Sequence, residues 1–263
     1  MNRVRVILLL SVLIAAILIL LMPTGHGPES AGRARKPLIV YCAAGIKPPV
    51  EAVARSYEQV YGVSIQLQYG GSGTLLSNLR VSNKGDLFLA ADESYLVMAQ
   101  TNQLLEETIP LSKMVPVIAV RKGNPNRIES LADLLRSEVA LANPDAAAIG
   151  KITRELLRKS GDWEALERRV RVFKPTVNDV ANDVKLGTVD AGIVWDATVS
   201  QYPELEMVAI PELASGAQKI SIGVLRSSEQ PTAALHFVSS ISPNDNVERG
   251  TRARKIGLPL KAS

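Results

Sequence analysis

Along most of the chain, apolar runs of strand length alternate with stretches whose apolar residues recur every three or four positions. Leu38 to Cys42 is followed by a helical pattern over 49–60, Ile65 to Tyr69 by one over 74–81, and Asp86 to Ala90 by one over 94–102. The rhythm continues with Val115 to Val120, a helix near 129–136, Val139 to Ala142, helices near 149–159 and 162–168, a helix near 178–187, and Ala191 to Trp195. This alternation predicts an α/β fold rich in parallel strands. Beyond it, Met207 to Ile210 and Ile220 to Leu225 read as strands and 232–241 as a helix, while Ser242 to Ser263 is polar and weakly patterned. The chain carries no internal repeat and no low-complexity block.

The N-terminus departs from this pattern. Val6 to Met22 is an unbroken apolar stretch without a charge, which as a helix spans roughly 25 Å, the short end of what crosses a bilayer. It is longer than the apolar core of a typical cleavable signal, so an uncleaved signal anchor is the first reading. A cleaved signal peptide is the second, with Gly32-Arg33-Ala34 as a small-x-small site. Arg3 and Arg5 lie closer to the stretch than Arg33, Arg35 and Lys36, which favours an inside N-terminus and a body outside the cytoplasmic membrane. Residues 23–36 are rich in Pro, Gly and small polar residues and read as a solvated tether. The single cysteine, Cys42, sits inside a predicted strand, which excludes a lipoprotein anchor and any disulfide within the chain.

The net charge of +4 changes meaning once it is located. Residues 1–36 hold five basic residues and one acidic residue, so the whole excess is N-terminal and the body is neutral. With 4% aromatic residues as well, a nucleic-acid partner is not expected.

In open α/β sheets, ligands sit beyond the carboxyl ends of the strands. Four loops at such ends are small and polar: Ala43-Ala44-Gly45, Gly70 to Thr74, Asn143 to Gly150, and Trp195-Asp196. The second, within Tyr69-Gly70-Gly71-Ser72-Gly73-Thr74, leads into Leu75, Leu76 and Leu79 at helical spacing. Its glycines are expected to bring backbone N–H groups close to an oxyanion at a helix start, with Ser72 and Thr74 adding hydroxyls. A short Gly/Ser cluster is also an ordinary connection, and no single loop is diagnostic.

Taken together, Tyr41-Cys42-Ala43-Ala44-Gly45-Ile46, Tyr69 to Leu75, Gly85-Asp86-Leu87-Phe88-Leu89-Ala90-Ala91-Asp92, Asn143-Pro144-Asp145 with Gly150, and Ala191-Gly192-Ile193-Val194-Trp195 resemble the periplasmic molybdate-binding proteins of ABC importers. The order and spacing of five segments carry the resemblance. It implies a two-lobed periplasmic-binding-protein fold, type II-like, behind an N-terminal transmembrane or signal helix. Residues 1–36 would form the anchor and tether, 37–115 with 224–263 one lobe, and 116–223 the other. It further implies a monomer that holds molybdate, tungstate or a similar oxyanion between its lobes, needs no cofactor or metal cation, and delivers its ligand to an ABC permease. Carried over residue by residue, the contacts fall on Gly45, Ser72, Ile149, Val177 and Trp195, with Ile149 and Val177 acting through their amides. Gly45 stands where the family has serine, and Trp195 where it has tyrosine. Both departures leave the ligand open: sulfate, phosphate or another small oxyanion, or a sensor on the same fold, are the alternatives.

The remaining candidates read as structural. Asp86 and Asp92 lie at a strand edge and a helix start, where capping is the common use. Lys47 reads as solvated, Pro49 as a first helical residue, Cys42 and His236 as packing residues, and Trp163 as packing a helix start. His26 and His236 make no metal pair, Ser72 has no triad, and no paired acid and base groups fall among the cleft loops, so catalysis is not expected.

Overall fold

The computed structural model describes residues 36–241. Their first strands are β1 (Leu38–Ala43), β2 (Ile65–Gly70), β3 (Leu87–Ala90) and β4 (Leu105–Met114); then follow β5 (Pro116–Arg121), β6 (Val139–Ala142), β7 (Val170–Lys174), β8 (Ala191–Trp195), β9 (Leu205–Val208) and β10 (Gln218–Leu225). The helices are α1 (Lys47–Tyr61), α2 (Ser72–Ser82), α3 (Glu93–Thr101), α4 (Leu131–Leu134), α5 (Ala148–Ser160), α6 (Trp163–Glu167), α7 (Val177–Leu186), α8 (Asp196–Val199), α9 (Pro211–Ala214) and α10 (Pro231–Ile241), with one 3-10 turn at Ala44–Ile46.

The strands form two five-stranded sheets, ordered β2-β1-β3-β10-β4 and β7-β6-β8-β5-β9. In each, three neighbouring strands run parallel and the remaining two pair antiparallel. Both sheets are therefore mixed, where the alternation predicts a mainly parallel arrangement. The parallel core strands β1, β3, β6 and β8 are almost wholly buried, as continuous apolar runs covered by helices on both faces should be.

Two connections join the sheets. One is Val115, between β4 and β5. The other precedes Gln218, because β10 pairs with β4 and β3 from its first residue onward. The expected boundary at residue 223 thus falls inside a strand of the first sheet; Gln218–Gly223 belongs with the residues before 115. The backbone N–H of Val115 donates to Asp196 Oδ1 at 3.1 Å, and Asp196 N–H returns a bond to Val115 O at 2.9 Å. The residue after Trp195 is thereby tied to a crossing point.

Two strands have no counterpart in the hydrophobic pattern. β4 is an edge strand whose sequence LEETIPLSKM mixes charges with Pro110, and its pairing with β10 shifts register at Ser112 and Pro110. Charge, proline and a bulge protect an edge and erase alternation. β7 (VRVFK), also at an edge, is half exposed along its length. Pro48 and Pro49 fall second and third in α1, which begins earlier than expected, at Lys47; both remain in the first turn, where a missing N–H costs nothing. The stretch Val6–Met22 and the tail after Ile241 lie outside the described residues, and among the described residues no helix is long and apolar enough to cross a membrane.

Asp86 is not a helix cap. Its buried carboxylate accepts from Ile39 N–H at 2.8 Å and from Ser228 Oγ at 2.6 Å, tying β1 to the segment after β10. Replacing it by alanine leaves the Ile39 N–H without this acceptor. Asp86→Ala is expected to lower the unfolding free energy by about 1.5–3 kcal/mol in urea denaturation; a change under about 0.5 kcal/mol would contradict this role.

Candidate functional site

Four strands deliver the chain at their carboxyl ends into helical starts that face one another. β1 runs into the 3-10 turn at Ala44, β2 into α2 at Ser72, β6 through a short loop into α5 at Ala148, and β7 into α7 at Val177. These starts, with Ala91 after β3 and Trp195 at the end of β8, line one small cavity. It has about 10 Å³ of room for the centres of water-sized molecules, close to the space of a single water.

The first N–H groups of a helix have no acceptor within it, and the peptide dipoles place partial positive charge there. Serine, threonine, aspartate or asparagine ordinarily caps them. Here the capping positions of the 3-10 turn, α2 and α5 are Ala43, Gly71 and Ala147, and none makes a side-chain cap. α7 is capped by Thr176, whose Oγ1 accepts from Asp179 N–H, yet that bond serves the third residue and leaves Val177 and Asn178 N–H unserved by the cap. Among the described residues, the cavity lining includes no titratable side chain. Cys42, just behind the first loop, is fully buried, and burial pushes its thiol well above the usual range, so it adds no negative charge.

The five residues assigned by resemblance, Gly45, Ser72, Ile149, Val177 and Trp195, all line this cavity. Ser72 is buried, and its Oγ accepts from Ala91 N–H at 3.1 Å. That bond occupies a lone pair and leaves the hydroxyl proton for the cavity. Ile149 and Val177 lie within the first turns of α5 and α7, where an amide can serve whatever its side chain.

The Gly-rich elbow works differently from expectation. Gly73 and Thr74 N–H donate to Ala146 O of the facing loop, at 3.0 and 3.3 Å. A Cβ on Gly71 would sit 2.3 Å from Ala146 O, and one on Gly73 would sit 3.0 Å from Asp145 O. These glycines let two backbones meet across the cleft; of the elbow, Gly70, Gly71 and Ser72 line the cavity.

Other contacts hold the same faces together. Asp92 caps α3 as expected, accepting from Ser94 N–H, but it also accepts from Lys151 Nζ at 3.1 Å. Lys151 further donates to Ser94 Oγ at 2.6 Å and stands over the Tyr95 ring. Burial, then the charge of Asp92, pushes the Tyr95 phenol up to about 12. On the other side, Gln201 Nε2 donates to Gly45 O at 2.8 Å. Lys151 and Gln201 carry no local sequence signal: Lys151 is one of several polar residues on α5, and Gln201 lies in the turn after α8. The other residues read as structural behave so: Lys47 pairs with Glu51, Trp163 is buried at the start of α6, and His236 Nδ1 bonds the Tyr57 hydroxyl.

Residues 38–244 match the profile of the bacterial extracellular solute-binding proteins. The chain belongs to that family. It is 32% identical over 200 residues to a Haemophilus influenzae protein named only as a binding protein, covering 75% of this chain and 81% of that one. It is 26% identical to the molybdate-binding protein ModA of Mycobacterium bovis, covering 82% of each. Among solved structures, the periplasmic molybdate-binding protein of Azotobacter vinelandii matches with a TM-score of 0.71 at 17% identity, over 86% of this chain and all of that one. The sulfate-binding protein SubI of Mycobacterium tuberculosis matches with 0.68 at 20% identity, over 85% and 86%. These structures establish the two-lobed solute-binding fold and do not select a ligand.

Gly71 lies directly against the backbone of the facing loop at Ala146. Gly71→Ala places a methyl against Ala146 O, a clash of about 1–3 kcal/mol set against the closed arrangement, which is expected to lower its population about fivefold or more. Small-angle scattering of the variant should give a larger radius of gyration. An unchanged radius would show that the backbone contact does not limit closure.

Proposed function

We propose that this chain is the extracytoplasmic receptor of an ABC importer for a tetrahedral oxyanion of the molybdate and tungstate class. The observation that carries this reading is the meeting of four helical starts, three of them uncapped by side chains, in a cavity whose described lining bears no charge. Such a site suits a small dianion: amide N–H groups, the Ser72 hydroxyl and the Trp195 indole N–H all donate, and hydrogen bonds to a charged acceptor contribute about 1.5–3 kcal/mol each. A carboxylate-free lining disfavours phosphate, which keeps a proton near neutral pH and needs an acceptor. Catalysis has no acid or base there to use.

The cavity as it stands is smaller than a five-atom oxyanion, so binding parts the lobes slightly about Val115 and the segment before Gln218. The closed, loaded form docks on the permease, with Val6–Met22 holding the protein at the membrane as a monomer. Among the described residues the two lobes are 37–115 with 218–241, and 116–217. The tightness of the cavity favours a second reading, a sulfate receptor, because sulfate is the smaller dianion.

Thermal unfolding of the full chain with molybdate, tungstate, sulfate or phosphate separates these. A ligand present at about 1,000 times its dissociation constant stabilises by about 4.1 kcal/mol, roughly 10 °C for a body of this size. Shifts with molybdate and tungstate alone are expected; a shift with sulfate alone selects the second reading, and none with any anion contradicts both. Ser72→Ala is expected to weaken binding of the preferred anion about tenfold or more by isothermal titration, and unchanged affinity would remove Ser72 from the site.

A further inference from the structure

A carboxylate taken out of water needs donors and a cation to offset its lost hydration, and Asp92 finds its cation across the cleft. Its side chain is 3% exposed. Oδ1 accepts from Ser94 N–H at 2.9 Å, and Oδ2 accepts from Ser94 Oγ at 2.7 Å and from Lys151 Nζ at 3.1 Å. Lys151 Nζ donates as well to Ser94 Oγ at 2.6 Å and lies 5.3 Å from the centre of the Tyr95 ring. Asp92, Ser94 and Tyr95 stand at the start of α3, which packs on the first sheet; Lys151 is on α5, which packs on the second.

Among the described residues this is the one ion pair that joins the two lobes; the others lie within a single lobe. The cross-cleft bonds from Gly73, Thr74 and Gln201 are between neutral groups. Ala91, whose N–H is held by Ser72 Oγ, lines the cavity and immediately precedes Asp92; Ile149 lines it from the facing lobe, two residues before Lys151. The two segments that border the ligand space are thus tied to each other directly behind it. Lys151 does not line the cavity: its ammonium is committed to Asp92 and Ser94. Parting the lobes leaves Lys151 with Glu155 of its own helix, at 3.8 Å, and leaves Asp92 without a cation among the described residues.

Resting on the oxyanion reading above, we propose that the Lys151–Asp92 pair is the latch of the closed receptor: it forms as the lobes meet, touches no ligand, and sets how long the anion is retained. Because the pair is made after the anion has entered, it acts on dissociation and leaves association alone. Because it lies behind the cavity wall, it strengthens the hold on every anion by the same factor and leaves the choice between anions to the cavity. A fully exposed ion pair would add little to such a balance. Here the carboxylate is buried and the ammonium largely covered, and opening breaks two charge-assisted hydrogen bonds of the ammonium, to Asp92 and to Ser94.

Isothermal titration and stopped-flow tryptophan fluorescence, with Trp195 in the cavity wall as reporter, test this on the full chain with molybdate, tungstate and sulfate. Lys151→Met removes the cation and keeps an unbranched side chain; Asp92→Asn removes the carboxylate charge and keeps a residue that caps α3. Each is expected to speed dissociation of whichever anions the unmodified protein binds about fivefold or more, by one factor for all of them, with association within about twofold. The double variant should lose about as much as either single one, since both break the same pair. A lysine acting on the anion through its charge gives opposite signs, weaker binding for Lys151→Met and tighter binding for Asp92→Asn, and that result overturns the proposal. Dissociation within about twofold of the unmodified protein for either variant also overturns it, while leaving the oxyanion site intact. If Lys151→Met does not fold, Asp92→Asn decides alone by the same criteria. No binding of any of the three anions by the unmodified protein overturns the oxyanion reading itself and this inference with it.

Discussion

Helix starts that point into a buried space without capping side chains are the constraint around which this molecule is arranged. Each leaves N–H groups that must find an acceptor or bear the cost of burial without one. In the chain's own structure some find it across the cleft, as Gly73 and Thr74 do at Ala146 O. Others, at Ser72, Ile149 and Val177, are left at the wall of a cavity that holds little more than a water. On the reading proposed above an anion occupies this place, where the amide N–H groups and the Ser72 hydroxyl donate to it and the helix dipoles add in the same sense.

The fold produces this convergence by using one arrangement twice. In both sheets three parallel strands end on the same side, and helices begin there. Setting the two carboxyl edges face to face makes the cavity a seam between sheets, so its dimensions depend on how the lobes meet. Gly71 and Gly73 set the approach of the backbones, and the Lys151–Asp92–Ser94 cluster and the Gln201–Gly45 bond hold the same faces. Asp196 ties the strand end that carries Trp195 to Val115, where the chain crosses between sheets. A change in the fit at Trp195 is therefore felt at the crossing point.

Much of this was legible in the chain, for reasons that differ by element. The buried parallel strands are continuous apolar runs, and their boundaries fall within a residue or so of Leu38 to Cys42, Val139 to Ala142 and Ala191 to Trp195. The edge strands β4 and β7 were not legible, because exposure lets charged residues occupy them and removes the period. The cavity loops could be picked out as small polar segments after strands, except Thr176-Val177, which follows the unrecognised β7 and came from family resemblance. The Gly elbow was found in the right place with the wrong partner: sequence shows that a backbone approaches Gly71, not whose. The return crossing fell ahead of Gln218 because antiparallel pairing with β4, a non-local property, claims Gln218–Gly223. Lys151 gave no sequence signal, since a lysine that pairs across a cleft is a fact of packing.

The central claim is that the site holds a dianion by neutral donors, the amides, the Ser72 hydroxyl and the Trp195 indole N–H, without a cationic side chain. A crystal structure of the full chain grown with molybdate tests it most directly. The account places the anion between the starts of α2, α5 and α7, within hydrogen-bond reach of Ser72 Oγ and the Ile149 and Val177 amides, with no lysine or arginine in contact. An anion found instead against a cationic side chain, at Lys151 or elsewhere on the surface, with the cavity between the helix starts unfilled, would contradict it.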